Sequence, residues 1–255
     1  MVLPLQEGII YGPVNSRRYG KSLGINLMPC SYKLCSFNCV YCHYGWTKKC
    51  TMDTETYASD LPAYDDVVNA LEQALKSPIK CDLITFSGNG EPTLYPRFGE
   101  LVDDVVRLRD KYRPSARVAL LSNSSGLVRE EVRNSIPKID LPVFKLDAGT
   151  AEKFRAVDRP AGEVRFEEIV GLLCSAENIY VQTVLISGNP SNTEPDDLRE
   201  YFEQLARIQP EEVHLYSIDR PVPNTEISLV SPERLEQIAE QARKETGVTI
   251  RAFCA

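Results

Sequence analysis

A chain of 255 residues, 43% hydrophobic, 25% charged and with a formal charge of −7, is large enough to bury a substantial core and too apolar to remain disordered. No run approaches the roughly 20 apolar residues of a membrane-spanning helix. The start MVLPLQEGIIYGP has neither the basic nor the apolar region of a signal peptide, so a cytoplasmic protein is expected. The acidic excess disfavours a generic nucleic-acid grip, which needs clustered Lys and Arg, and the eight cysteines read as metal ligands more readily than as a disulfide framework.

In chain order, a short basic patch of Arg17, Arg18 and Lys21 comes first. Arg17 and Arg18 are candidates to hold a substrate phosphate or carboxylate through their forked donors; the alternative is a pair of surface arginines balancing the acidic excess. The first strand is expected at LGINL (23–27). It leads through MPCSYKL into CSFNCVYC, where Cys35, Cys39 and Cys42 stand in a C-x3-C-x2-C arrangement. Three thiolates this close can hold three irons of a [4Fe–4S] cubane and leave the fourth iron open, and an open coordination position is where substrate or cofactor binds. Other readings remain. Zinc or an electron-transfer cluster would take Cys30 or Cys50 (for zinc also His43) as a fourth ligand, and Cys39 with Cys42 could be a redox pair.

Further strands are expected at CDLITFS (81–87), RVALLS (117–122), PVFKLD (142–147), IYVQTVLIS (179–187), EVHLYSI (212–218) and VTIRAF (248–253). Their near-continuous apolar character suits a parallel sheet covered on both faces. Between them lie helical stripes: Tyr64, Val67, Val68, Leu71, Ala74 and Leu75, then Phe98, Leu101, Val102, Val105 and Leu108, then helices near 165–174, 194–207 and 231–245. Ser231 is set to N-cap the last of these, Pro232 to open it and Gly247 to close it. The alternation implies βα units in an α/β fold, an incomplete TIM-like barrel forming a single domain over residues 1–255.

Polar residues gather at the strand ends. Gly88, Asn89, Gly90 and Glu91 follow the second strand, where glycines allow close backbone approach to a ligand or simply make a strand-to-helix turn. Ser122, Asn123 and Ser124 offer hydroxyl and amide partners, or an Asn/Ser turn. Lys145 and Asp147 share a strand face, and a lysine inside an apolar strand needs a partner or a ligand. Gln182 and Thr183 adjoin an apolar run and face a barrel interior. His214 and Tyr216 share a face as candidate catalytic or substrate contacts; for His214 the alternative is a hydrogen-bonded core residue.

The triplet, with Tyr41 before its last cysteine, resembles the radical S-adenosylmethionine (SAM) superfamily. The ordered motifs GPVNSRRYGKSLGINLMP, SGNGEPTLYP, FKLDAG and DRPVPNTEI, from about Gly12 to about Glu226, are similar to a group of iron–sulfur oxidoreductases related to the wyosine tRNA-modifying enzymes. That resemblance implies an incomplete (βα)6-type barrel and a cluster loop over 30–46, with Cys35, Cys39 and Cys42 on a [4Fe–4S] cluster whose free iron chelates SAM. The reduced cluster would cleave SAM to a 5′-deoxyadenosyl radical that takes hydrogen from a small-molecule, peptide or RNA substrate. It implies Tyr41 against the adenine, Gly88, Asn89, Gly90 and Glu91 toward the SAM amino group, and Ser122, Asn123, Lys145, Asp147 and Gln182 around the rest of it. An electron donor such as flavodoxin or ferredoxin is implied as partner, with segments 1–22 and 219–255 covering the substrate. The chain has no cysteine before Cys30, so it lacks the second-cluster ligands of the tRNA-modifying relatives.

Overall fold

Apolar β-branched runs and amphipathic stripes alternate along the sequence, and the computed structural model, which describes residues 2–16 and 20–254, shows them as strands and helices in that order. The chain divides into two units. One comprises Leu5–Ser36 and Thr47–Val143; the other comprises the chain up to Pro4, Phe37–Trp46 and the chain from Phe144 onward.

The first unit contains β1 (Ile10–Ser16), β2 (Gly20–Ile25), the short β3 (Leu34–Cys35) and β4 (Lys49–Cys50), α1 (Tyr64–Lys76), β5 (Leu83–Phe86), α2 (Phe98–Tyr112), β6 (Arg117–Ser122), α3 (Glu130–Ser135) and the start of β7 (Leu141–Lys145). β2, β5 and β6 run parallel, with Ile25 opposite Phe86 and Phe86 opposite Leu120. Both expected helical stripes are present: Val67, Leu71 and Leu75 of α1, and Phe98, Leu101, Val102, Val105 and Leu108 of α2, are buried. Phe86 and Phe98 meet at 5.2 Å between ring centroids.

Two departures from expectation have local causes. β1 pairs antiparallel with β2 as the edge strand of this unit. Its IYGPVNS sequence hides the strand because Gly12-Pro13 falls at a register shift between Tyr11 and Val14, a pattern tolerated only at an edge or bulge. β2 ends at Ile25 and not at Leu27, because the buried Asn26 turns the chain: its Nδ2 donates to Met28 O at 3.0 Å and its Oδ1 accepts from Met28 N at 3.4 Å.

The second unit contains the end of β7, α4 (Ala151–Val157), α5 (Phe166–Ser175), β8 (Tyr180–Gly188), α6 (Pro195–Ile208), β9 (Glu212–Ser217), β10 (Ile227–Leu229), α7 (Pro232–Thr246) and β11 (Ile250–Phe253). β8, β9 and β11 are parallel, and β10 lies antiparallel to β8. The short helices α3 and α4 were not expected, since six or seven residues are too few for a 3.6-residue period to register. In both units parallel strands alternate with helices, the α/β class expected.

The ends of α7 follow the expected chemistry. Ser231 Oγ accepts from Arg234 N at 3.2 Å, and Gly247 closes the helix at φ 71°, a left-handed conformation costly for other residues. Ser231→Ala is expected to lower the unfolding free energy by about 1 kcal/mol in a urea titration, and Ser231→Asn to restore it.

Candidate active site

In the first unit, the turn after β5 ties down the segment that leads into the cysteines. Asn89 is fully buried; its Oδ1 accepts from Gln6 N at 2.7 Å and its Nδ2 donates to Gln6 O and Pro29 O at 2.9 and 3.0 Å. Its backbone N–H donates to Asn26 Oδ1 at 3.0 Å. Gly90 forms a parallel bridge to Leu34, and a Cβ there would overlap the Leu34 carbonyl, so only glycine permits this approach. Gly88 takes φ 126° against the Asn26 side chain. Asn89 therefore acts as a cross-link between this turn and the segments around Gln6, Asn26 and Pro29.

Glu91 is the polar hub of that unit. Its Oε1 accepts from Thr93 N at 3.1 Å, Thr93 Oγ1 at 2.5 Å and Ser122 Oγ at 2.9 Å, and its Oε2 accepts from Asn123 N at 2.6 Å. Burial pushes its pKa up, against the pull of these donors. Held this way, Asn123 directs its Nδ2 to Ser36 Oγ at 2.8 Å and toward Cys35 Sγ at 3.5 Å. Ser122 Oγ in turn accepts from Ser124 N at 3.0 Å. Cys50 lies opposite Cys35 in the β3–β4 pair, with its thiol 3.5 Å from Ser36 O. Cys30 is exposed.

In the second unit, the loop carrying Cys39, Tyr41 and Cys42 is backed by the end of α4: Asn38 N donates to Asp158 O and Val40 N to Val157 O, each at 3.0 Å. Cys42 N turns back to Cys39 O at 3.2 Å. Behind the loop lies a buried group of charges. Lys145 Nζ is 3.4 Å from Asp147 Oδ2 and 4.8 Å from the centroid of the Tyr41 ring. The Tyr41 hydroxyl donates to Asp147 Oδ2 and lies 3.1 Å from Asp158 Oδ1. The Cys39 thiol donates to Asp158 Oδ1 at 3.4 Å. Asp147 Oδ1 accepts from Val184 N at 2.7 Å, joining the group to β8. Burial disfavours the Lys145 ammonium, but Asp147 outweighs it and the lysine stays charged. Burial, then Asp147, raise the Tyr41 phenol well above its ordinary value.

Asp158 was not singled out from the sequence. The available signal is the tripeptide Asp158-Arg159-Pro160, repeated at Asp219-Arg220-Pro221. Burial and the neighbouring Asp147 push the Asp158 carboxyl well above the usual carboxylate range. An unfolded aspartate titrates near about 3.9, so this group's contribution to stability is fully present below that pH. As pH rises the unfolded chain ionises first, and stability falls until the native carboxyl also titrates. Asp158→Asn is expected to flatten that fall in the metal-free protein, read as urea midpoints from about pH 5 to 8; an unchanged slope would contradict it.

The other candidates lie on β8, β9 and the loops. Gln182 is buried opposite His214, and Thr183 Oγ1 donates to Leu146 O at 2.7 Å. His214 is enclosed by the Tyr180 and Phe253 rings, with Nε2 3.0 Å from Glu212 Oε1. Tyr216 is half-buried opposite Phe253 and adds to the negative field on Lys145. His43, beside Cys42, has Nε2 3.5 Å from Asp219 Oδ1. Arg17 and Arg18 lie outside the described residues.

None of the eight cysteines is in a disulfide. Among the described residues no three His, Cys, Asp or Glu side chains converge at single-metal distance. A cubane asks for something else, because each thiolate takes a different iron. The donor set, three cysteines within eight residues and outside any disulfide, with a side-chain amide directed at one sulfur, suits such a cluster.

The family model of the Radical SAM superfamily matches residues 31–189. The chain belongs to the radical SAM superfamily. This radical SAM chain is 33% identical over 238 residues to a UPF0026 protein of Methanocaldococcus jannaschii, covering 91% of this chain and 69% of that protein. It is 30% identical over 247 residues to a Brachyspira hyodysenteriae protein named GTPase Obg, covering 94% of this chain but spanning only 34% of that protein. A solved structure of TYW1 with a lysine–pyruvate adduct bound has a TM-score of 0.59 at 17% identity, covering 88% of this chain and 73% of that one. The fold is the α/β partial barrel of radical SAM enzymes, and the protein is an enzyme. Membership implies SAM and a [4Fe–4S] cluster as cofactors. Among the described residues no helix is long and apolar enough to cross a membrane.

Proposed function

We propose that this protein uses Cys35, Cys39 and Cys42 to hold a [4Fe–4S] cluster and binds SAM with the strand-end residues described above. The observation that carries the reading is the cysteine loop itself: three cysteines outside any disulfide, with the Asn123 side-chain amide directed at the Cys35 sulfur. When bound, the cluster supplies the electron that cleaves SAM to methionine and a 5′-deoxyadenosyl radical able to abstract hydrogen.

The chain's own residues supply binding and orientation. The Asn123 side-chain Nδ2–H stabilises charge on the Cys35 thiolate, one of the ways a protein sets a cluster's potential. Lys145, kept charged by Asp147, supplies an ammonium for the SAM carboxylate. The Tyr41 hydroxyl is committed to Asp147, so its ring is what remains for the adenine. Gly88 and Gly90 bring backbone close to the SAM amino group. Glu91 supports that turn from beneath, since its oxygens already accept four donors. Gln182 and Tyr216 extend the polar lining toward substrate. The setting is a reducing cytoplasm, in keeping with eight cysteines outside any disulfide, with a flavodoxin- or ferredoxin-type electron donor.

The test is anaerobic reconstitution with iron and sulfide, dithionite reduction and EPR spectroscopy with and without SAM. A reduced-cluster signal that changes shape on adding SAM, with 5′-deoxyadenosine in the products, is the expected result. A cluster indifferent to SAM, or stoichiometric zinc, would overturn it. The resemblance of the ordered sequence motifs to the wyosine tRNA-modifying enzymes makes an RNA substrate the second arm of the search; binding of tRNA that weakens steeply with salt would support it.

A further inference from the structure

At the C-terminal ends of β9 and β11 the second unit forms an open cavity of about 400 Å³, which the cluster and SAM reading does not use. Its size is that of a small-ligand pocket. One wall is apolar: Leu235 from the first turns of α7, Phe253 at the end of β11, and Leu229 at the lip. Leu229 leaves 59% of its surface in water, an exposure that an apolar body in the cavity would relieve. The lining also carries Asp219 and Arg220.

The charge in that lining is unevenly committed. Asp219 faces His43 at 3.5 Å. The Arg220 side chain is half-exposed, and its ion pair with Asp219 Oδ2 spans 3.8 Å, too long for a hydrogen bond. Its fork of donors, which fits a carboxylate or phosphate in two-point fashion, is therefore available. The α7 N-terminus does not compete for an anion, because the Ser231 hydroxyl and the Glu233 carboxylate already cap it. An aliphatic and aromatic lining beside one guanidinium defines a ligand with two ends.

We infer that this cavity binds a small amphipathic organic anion, its apolar body among Leu229, Leu235 and Phe253 and its carboxylate or phosphate on Arg220. The Asp219–His43 contact joins the cavity wall to the residue after Cys42, so the ligand would sit beside the cysteine loop. The site stands on the cavity and its lining alone and needs neither cluster nor SAM, so its failure and that of the radical SAM chemistry are separately readable.

The experiment titrates the full chain with octanoate, octyl phosphate and octanol by calorimetry. Occupancy is read independently as slowed iodoacetamide labelling of Cys254, an exposed residue of the cavity lining, quantified peptide by peptide. Either anion, or both, is expected to bind roughly tenfold or more tightly than octanol and to protect Cys254, and the better of the two identifies the headgroup. Arg220→Gln should abolish the preference for the anion, and Leu229→Ser should weaken anion and alcohol alike. Both positions are solvent-accessible, and unchanged thermal unfolding would confirm that each variant folds. Equal binding of all three probes, an anion preference that survives Arg220→Gln, or no binding at all would overturn the inference.

Discussion

Cys35→Ser, Cys39→Ser and Cys42→Ser are each expected to lose the reconstituted cluster and to reduce 5′-deoxyadenosine formation to background, while Cys30→Ser with Cys50→Ser retains both. The asymmetry follows from ligand count. A cubane held at three irons has no spare protein ligand, so each of the three thiolates is indispensable. Electron transfer or structural zinc would require a fourth cysteine, and Cys30 and Cys50 are the ones available near the loop. In the structure Cys50 donates toward Ser36 O at 3.5 Å, and Cys30 is exposed with Asn26 Nδ2 3.9 Å from its sulfur. Iron and sulfide content with EPR spectroscopy decides the matter. Loss of the cluster in the Cys30/Cys50 double variant would replace the open iron with a closed four-cysteine site and remove the basis for SAM cleavage.

The second large effect falls on Glu91. Glu91→Ala is expected to destabilise the protein by about 4 kcal/mol, because a buried donor that loses its acceptor costs about 1–3 kcal/mol. The Thr93 and Ser122 hydroxyls can rotate toward other partners, whereas the backbone N–H groups of Thr93 and Asn123 cannot. Glu91→Gln keeps the volume but presents an NH₂ group to at least one of those N–H donors, and a loss of about 2 kcal/mol is expected. Since Glu91 holds Asn123, and Asn123 reaches Ser36 and the Cys35 sulfur, iron retention should fall in parallel with urea stability. A fully stable Glu91→Gln that retains iron and fails to cleave SAM would instead assign Glu91 to direct ligand contact.

The motifs that identify the superfamily are local, and so they could be read without coordinates. Cys35, Cys39 and Cys42 with Tyr41 lie within eight residues of one another, and the Gly88–Glu91 turn is contiguous. The helix over Pro232–Thr246 announces both its ends through Ser231, Pro232 and Gly247. Lys145 and Asp147 were legible as a pair because strand alternation alone puts them on one face, and they form an ion pair. β1 was not legible, because Gly12-Pro13 breaks the alternation that marks a strand. Asp158 was also hidden: nothing local to AVDRP shows that its carboxyl meets Cys39 and Tyr41, more than a hundred residues earlier in the chain.

The sequence by itself determined the fold class and the superfamily, because hydrophobic periodicity and motif spacing are properties of neighbouring residues. Only the tertiary structure decided how the polar residues are employed. Asn89 is used up as a cross-link, Glu91 as an acceptor for four donors, and His214 is enclosed by Tyr180, Phe253 and Glu212. Arg220 is left with free donors over an apolar cavity. The physical reason is that a buried polar group must find its partner wherever packing brings one, and packing joins segments that the sequence keeps far apart.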